Sequence, residues 1–340
     1  MRTLLRYSVF FIIAFVAIAL SLDQWMAKKI IFRDPNSNQS KMLRLVSSTD
    51  PLEIPIFGSS KARSAFIPDT LGPTVFNYGM DKCNYDVIEF ELAHELAKPS
   101  TAPIIIEFNH RFFIHEPEHT IDAATFVPII DKPGVRDYLK KNGRDELRWS
   151  IPGVRYYGSI LTFIRSASRK ETGQRKHISK GGLFIDNPAS PRVLKSQVDA
   201  RDNEIAEQHD LLFRKTHVEE AISAQGLARL QGLDALLLFS EPKDRIELFE
   251  AQLAQRPDRP ILIVYTPQHP SELKGMANYD RVLAKFKEWE TRFPNVHVYN
   301  YSHVRLPDTD FKNIAHLNTA GARVLSGMLK HDAQQYLSNP

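Results

Sequence analysis

Five short apolar runs constrain this chain more than any other feature. They are Glu53-Ile-Pro-Ile-Phe57, Thr74-Val-Phe-Asn-Tyr78, Pro103-Ile-Ile-Ile-Glu-Phe108, Pro260-Ile-Leu-Ile-Val-Tyr265 and Val296-His-Val-Tyr-Asn300. The first three end against Gly58, Gly79 and Asn109. Apolar runs of this length, bounded by turn residues, read as buried strands. Between them lie stretches with apolar residues at helical spacing: Tyr85 to Ala97, 243–255 and 279–292. Asn318 to Tyr336 reads as a closing helix, with Asn318 placed to cap it. Strand–helix alternation predicts an α/β fold: a mainly parallel five-stranded sheet flanked by helices in three layers.

Residues 110–232 break that rhythm. They contain the turn Pro152-Gly153, a basic stretch from Arg165 to Lys180 and the pair Gly181-Gly182. This segment reads as a large insertion, part helix and part loop, within a domain spanning 51–340. The basic stretch is either a solvated loop or a contact for anionic lipid or polymer.

The N-terminus carries a different signal. Arg2 and Arg6 precede Tyr7 to Leu22, which holds no charge. Sixteen residues is short of the roughly 20 that span a bilayer, and the flanking Trp25 and Lys28 extend it. Residues 1–22 therefore read as an N-terminal membrane anchor, with the body outside the cytoplasm because positive charge stays inside. Ala17-Ile-Ala19 also fits a signal-peptidase site, so a cleaved signal peptide is the alternative. Residues 23–50, with the polar cluster Asp34-Pro-Asn-Ser-Asn-Gln-Ser40, read as a stalk.

Composition closes off some functions. The net charge is +4, and removing Arg2 and Arg6 leaves 4 − 2 = +2 for the body, too little to argue for nucleic acid as a partner. The single cysteine, Cys83, rules out an internal disulfide. It reads as a small buried hydrophobe, with a nucleophile as the alternative. His110, His115 and His119 lie close together among Glu116 and Glu118, but Pro117 interrupts any regular helix that would align them. No metal and no cofactor are expected.

Two segments carry chemistry. Ile56-Phe-Gly-Ser-Ser-Lys61 lies at the end of the first strand, and Phe311-Lys-Asn-Ile-Ala-His-Leu-Asn318 precedes the last helix. Open parallel sheets bind ligands at the C-terminal ends of their strands. A serine on a strand-to-helix turn is exposed and lies beside free backbone N–H groups, and a histidine near the C-terminus can serve as its base. Ser60 and His316 are the candidates. The bland reading makes Ser60 a helix cap and His316 a packed or surface side chain.

These residues resemble the SGNH/GDSL hydrolase superfamily. Gly58-Ser59-Ser60 is similar to its Gly-Asp-Ser block, with Ser60 in the nucleophile position. Gly79 resembles the second-block glycine, Asn109 the third-block asparagine, and His316 the histidine of the Asp-x-x-His block. The Gly-Ser-Ser form, the final His-Leu-Asn and the N-terminal anchor resemble one branch. That branch contains DltD-type proteins of teichoic-acid D-alanylation and periplasmic proteins of alginate and cellulose O-acetylation. The resemblance implies a flavodoxin-like three-layer fold and an oxyanion site at Gly79 and Asn109. It further implies acyl transfer by a Ser60 acyl-enzyme to an envelope polymer, with a membrane-bound O-acyltransferase as partner. An esterase and a non-catalytic accessory protein are the alternatives. The sequence departs from the pattern at Asn313, where the family has aspartate. Asn313, Asp310 or Asp308 then orients the histidine.

Overall fold

The computed structural model describes residues 2–81, 83, 85–108, 123–143, 146–156, 176–186, 188, 190–217, 243–274 and 279–338. They fall into two compact units: Met1–Ser48 with Thr120–Gly173, and Thr49–His119 with Gln174–Pro340.

The second unit is the α/β body. In chain order its strands are β1 (Ile54–Phe57), β2 (Val75–Asn77), β3 (Ile104–Glu107), β4 (Lys176–Ser179), β5 (Gly182–Ile185), β6 (Ile261–Tyr265), β7 (Val296–Asn300), β8 (Phe311–Asn313) and β9 (His316–Leu317). Five of them form one parallel sheet in the order β2-β1-β3-β6-β7. Counting sheet strands alone, this is the doubly wound order 2-1-3-4-5, whose direction of winding reverses between β1 and β3. All five strands coincide with the five apolar runs.

Every residue of β1, β3 and β6 is buried, which explains their continuous rather than alternating apolar character. On one face, Ile54, Ile56, Ile105, Leu262 and Val264 pack with Ala62 and Phe66 and with Leu325 and Leu329 of the helix Thr319–Asp332. A second core is aromatic. Phe108 meets Phe286 edge-on at 4.6 Å, and Phe249 meets Trp289 at 5.3 Å. The helices Tyr85–Leu96, Lys243–Gln255 and Tyr279–Arg292 supply this layer. The Trp289 indole N–H donates to Glu250 at 3.0 Å, so its one polar atom is satisfied inside the core. Arg259 is fully buried; it donates to the Ala102 and Glu95 carbonyls and to the Glu95 carboxylate at 2.7 Å, tying the start of β6 to the end of Tyr85–Leu96.

The segment read as an insertion adds no strand to the five-stranded sheet among its described residues. Its β4–β5 hairpin lies on the outer edge: the Asn77 N–H donates to the Lys180 carbonyl at 2.9 Å, covering part of an otherwise open edge strand. The 27-residue helix Pro191–His217 follows. The short β8–β9 hairpin, with Asn313 opposite His316, was not anticipated. The closing helix breaks at Ala333 into Thr319–Asp332 and Gln334–Leu337, and Asn318 caps it by accepting from the Ala320 and Gly321 N–H groups.

The first unit contains the helix Arg2–Met26, which with its continuation to Ile31 is long and apolar enough to cross a membrane. The residues read as a stalk hold a further helix, Asn38–Ser47, capped by Ser37. It buries Met42 and Leu45 and packs on Ala123–Phe126 and Val127–Ile129.

Candidate active site

The turn after β1 is built from Gly58 outward. Gly58 has φ of +147°, and a Cβ there would meet the Glu107 Cβ at 2.7 Å and the Ala62 Cβ at 2.8 Å. Only glycine lets the chain leave the strand so close to β3. Ser59 follows in extended conformation and caps the helix Ser60–Ala65, accepting from the Lys61 N–H at 3.1 Å. Its own N–H and hydroxyl both donate to Glu107 Oε2, at 3.0 and 2.9 Å. Ser60 thus occupies the first helical position, half-buried, on a turn fixed from below by a buried carboxylate. Asn77 supports the other end of the helix, donating to the Ala62 and Phe66 carbonyls at 2.9 and 3.1 Å. Gly79 passes so close that a Cβ would lie 2.6 Å from the Arg63 nitrogen.

The β8–β9 hairpin delivers the histidine. Ser60 Oγ lies 2.8 Å from His316 Nε2, and His316 Nδ1 lies 3.0 Å from Asn313 Oδ1. The orientation of the Asn313 amide follows from a third contact: the Ala315 backbone N–H donates to the same Oδ1 at 3.0 Å. A backbone N–H only donates, so this oxygen is the acceptor and the histidine's Nδ1 carries the proton. Nε2 is left with its lone pair toward the Ser60 hydroxyl, the tautomer that a general base requires. Asparagine therefore does the steering job here. It lacks the negative charge that would stabilise an imidazolium.

Burial dominates the electrostatics of the pair. Burial holds the His316 imidazole down to about 4, and Lys61 and Lys312 push the same way against weaker opposition from Asp81 and Glu272. His316 is thus unprotonated, and available as a base, throughout the neutral range. Burial pushes the Glu107 carboxyl up to about 7, offset in part by the Ser59 N–H, Lys61 and the Ser59 hydroxyl. Its second oxygen, Oε1, has no hydrogen-bond partner among the described residues. Sequence reasoning passed over Glu107, although a carboxylate within an otherwise apolar, fully buried parallel strand is a visible anomaly.

The remaining candidates sort by position. The Gly79 N–H donates to Asn77 Oδ1 at 2.9 Å, so in this structure the residue serves close packing under the Ser60 helix. Asp310 makes no side-chain hydrogen bond to His316; its carbonyl accepts from the Asn318 N–H at 3.0 Å. Asp308 faces His269 instead, 3.5 Å from Nε2. Asn109, His110, His115 and His119 lie outside the described residues, as does most of the stretch from Arg165 to Lys180. Cys83 is half-buried. Among the described residues no cluster of three or more His, Cys, Asp or Glu side chains forms a metal site.

A cleft of about 360 Å³ opens beside His316 and Asn313. Its far wall is the helix Pro191–His217, which contributes Gln197, Arg201 and Glu204, and Glu272 lines it as well. Arg201 is buried and pairs with Glu204 at 2.7 Å, while Gln197 accepts from the Ile314 N–H at 3.3 Å. The cleft therefore carries charged and amide groups on a partly apolar lining that includes Ala200 and Ile314, and it is joined to the histidine hairpin. No protein-family model and no curated protein matches the chain.

Proposed function

We propose that the chain is an extracytoplasmic, membrane-anchored serine O-acyltransferase that modifies a cell-envelope polysaccharide or teichoic-acid-like polymer. The observation that carries this reading is the Ser60–His316–Asn313 chain, at 2.8 and 3.0 Å with the tautomer set for base catalysis. Its SGNH-like pattern of blocks and the apolar N-terminal helix support it further. Ser60 Oγ attacks the carbonyl carbon of an acyl donor while its proton passes to His316 Nε2. The oxyanion is met by the Ser60 N–H at the start of the helix Ser60–Ala65, beside the positive Lys61. His316 then returns the proton to the departing oxygen, leaving acyl-Ser60. In the second half an acceptor hydroxyl gives its proton to His316 and attacks the ester, which restores Ser60. Gln197, Arg201, Glu204 and Glu272 in the cleft beside His316 offer hydrogen-bonding groups to a hydroxyl-bearing acceptor. A membrane-bound O-acyltransferase is the partner that would supply acyl groups across the membrane. Tethering raises the local concentration of donor without new contacts.

Release of the acyl group to water makes the same site an esterase. A second reading, a non-catalytic accessory protein, is favoured by the uncharged Asn313 and by the low basicity that burial, with Lys61 and Lys312, gives His316. The readings separate in cells that depend on this chain for polymer acylation. Ser60→Ala abolishes acylation if the serine carries the acyl group. Full acylation with Ser60→Ala leaves the accessory role.

A further inference from the structure

The turn between residues 146 and 156 exposes three large apolar side chains: Leu147 at 83%, Ile151 at 44% and Val154 at 39% of their surface. Single exposed aliphatics are ordinary. These three share one turn, closed by the Ile151 N–H to the Arg148 carbonyl and by the Val154 and Arg155 N–H groups to the Ile151 carbonyl. Trp149 of the same turn points inward and is buried. The outward apolar face is therefore not a failed core.

The position of the turn says what covers it. It grips the apolar helix Arg2–Met26 near that helix's C-terminal end. The Gly153 N–H donates to Asp23 Oδ1 at 2.9 Å, and Arg155 pairs with the same oxygen at 3.0 Å and with Asp131 at 2.7 Å. Gly153 also lies against Ala19, where a Cβ would come within 3.1 Å of the carbonyl oxygen. Asp23 is the first charged residue after Arg6. The uncharged stretch between them rises about 24 Å as a helix, against about 30 Å of hydrocarbon, so Asp23 lies near the level at which the helix leaves it. Trp25, half exposed at the same end, is the residue type that sits at the headgroup layer. Arg155 gives the Asp23 carboxylate a cationic partner at this boundary.

We propose that the 147–154 turn is a second membrane contact, resting in the interfacial layer of the leaflet from which the helix emerges. Its apolar face continues the lipid-facing surface of the helix, and lipid is its occupant. The helix and turn then form one mount, with the Asp23–Arg155–Asp131 cluster fixing its angle. The inference rests on the helix spanning the bilayer and is independent of the serine chemistry.

Site-directed spin labelling of the full chain in phosphatidylglycerol–phosphatidylethanolamine proteoliposomes tests it. In a Cys83→Ser background, single cysteines replace Ile13 on the helix, Leu147 and Ile151 on the turn, and Val193, an exposed site in the α/β body. Labels at 13, 147 and 151 are expected to collide severalfold more with oxygen than with a water-soluble nickel chelate, and the label at 193 the reverse. If 13 reports lipid while 147 and 151 match 193, the turn faces water and the proposal fails while the anchor stands. If 147 and 151 are shielded from both reagents, protein covers the turn and the proposal also fails. If 13 itself reports water, the spanning helix is lost and the proposal with it.

Discussion

Asn313→Asp changes one atom and adds one charge, 3.0 Å from His316 Nδ1. An opposite charge at this range raises a histidine's pKa by roughly 1–3. His316 starts from about 4, so its protonation in the variant is expected between about pH 5 and 7. Each of those pH steps corresponds to about 1.4 kcal/mol of added imidazolium stability. In the proposed reaction imidazolium forms as Ser60 attacks, so the variant is expected to gain about 10- to 1,000-fold in kcat/KM at neutral pH if the transition state feels the full charge. The assay is hydrolysis of a small aryl ester by the full chain in detergent, from roughly pH 3.5 to 9. The wild-type acid limb falls near 4, because activity requires neutral His316 and is lost below its pKa. In the variant the limb moves up and the plateau rises. An unmoved limb with unchanged or lower turnover refutes the assignment of Asn313. Asp310→Ala and Asp308→Ala are expected to change little, since neither side chain bonds to His316.

Three further outcomes follow from the packing. Glu107 has its pKa raised from 4.5 to about 7 inside the fold, so the folded state holds that proton more tightly. Stability from this group is complete below about pH 4.5 and declines by about 3 kcal/mol as pH rises through 7; Glu107→Gln removes that decline, measured by urea melts across the range. Arg259→Met removes the guanidinium from the buried Glu95 carboxylate, which keeps Lys98 at 2.7 Å, and is expected to cost about 3 kcal/mol in the same assay, the low end for breaking a buried pair. Gly79→Ala forces a methyl against the Arg63 nitrogen and displaces the helix bearing Ser60; about 1–3 kcal/mol of destabilisation is expected, together with loss of esterase activity.

The sheet was legible because parallel strands buried on both faces must be apolar throughout, and the chain places few such runs elsewhere. Asn318 was legible as a cap for an equally local reason: its side chain bonds N–H groups two and three residues on. Ser60 and His316 lie 256 residues apart, so only a known order of motifs joins them in sequence. The orientation of the Asn313 amide was not legible, because it depends on the Ala315 N–H within a hairpin that periodicity does not announce. Glu107 was hidden by its own surroundings: three isoleucines before it describe a strand, and the turn that needs its carboxylate lies 48 residues away. The helix within the supposed stalk was missed since its polar face dominates the composition, while Met42 and Leu45 find their partners beyond residue 120.

The central claim is that Ser60 is an activated nucleophile, and covalent capture tests it most directly. The full chain, treated with a fluorophosphonate near neutral pH and analysed by peptide mass spectrometry, is expected to carry the adduct on Ser60. Ser60→Ala is expected to lose it, and His316→Ala to lose nearly all of it, with the circular dichroism of both variants unchanged. Equal labelling of Ser60→Ala, or a folded wild-type chain that takes no label, contradicts the account.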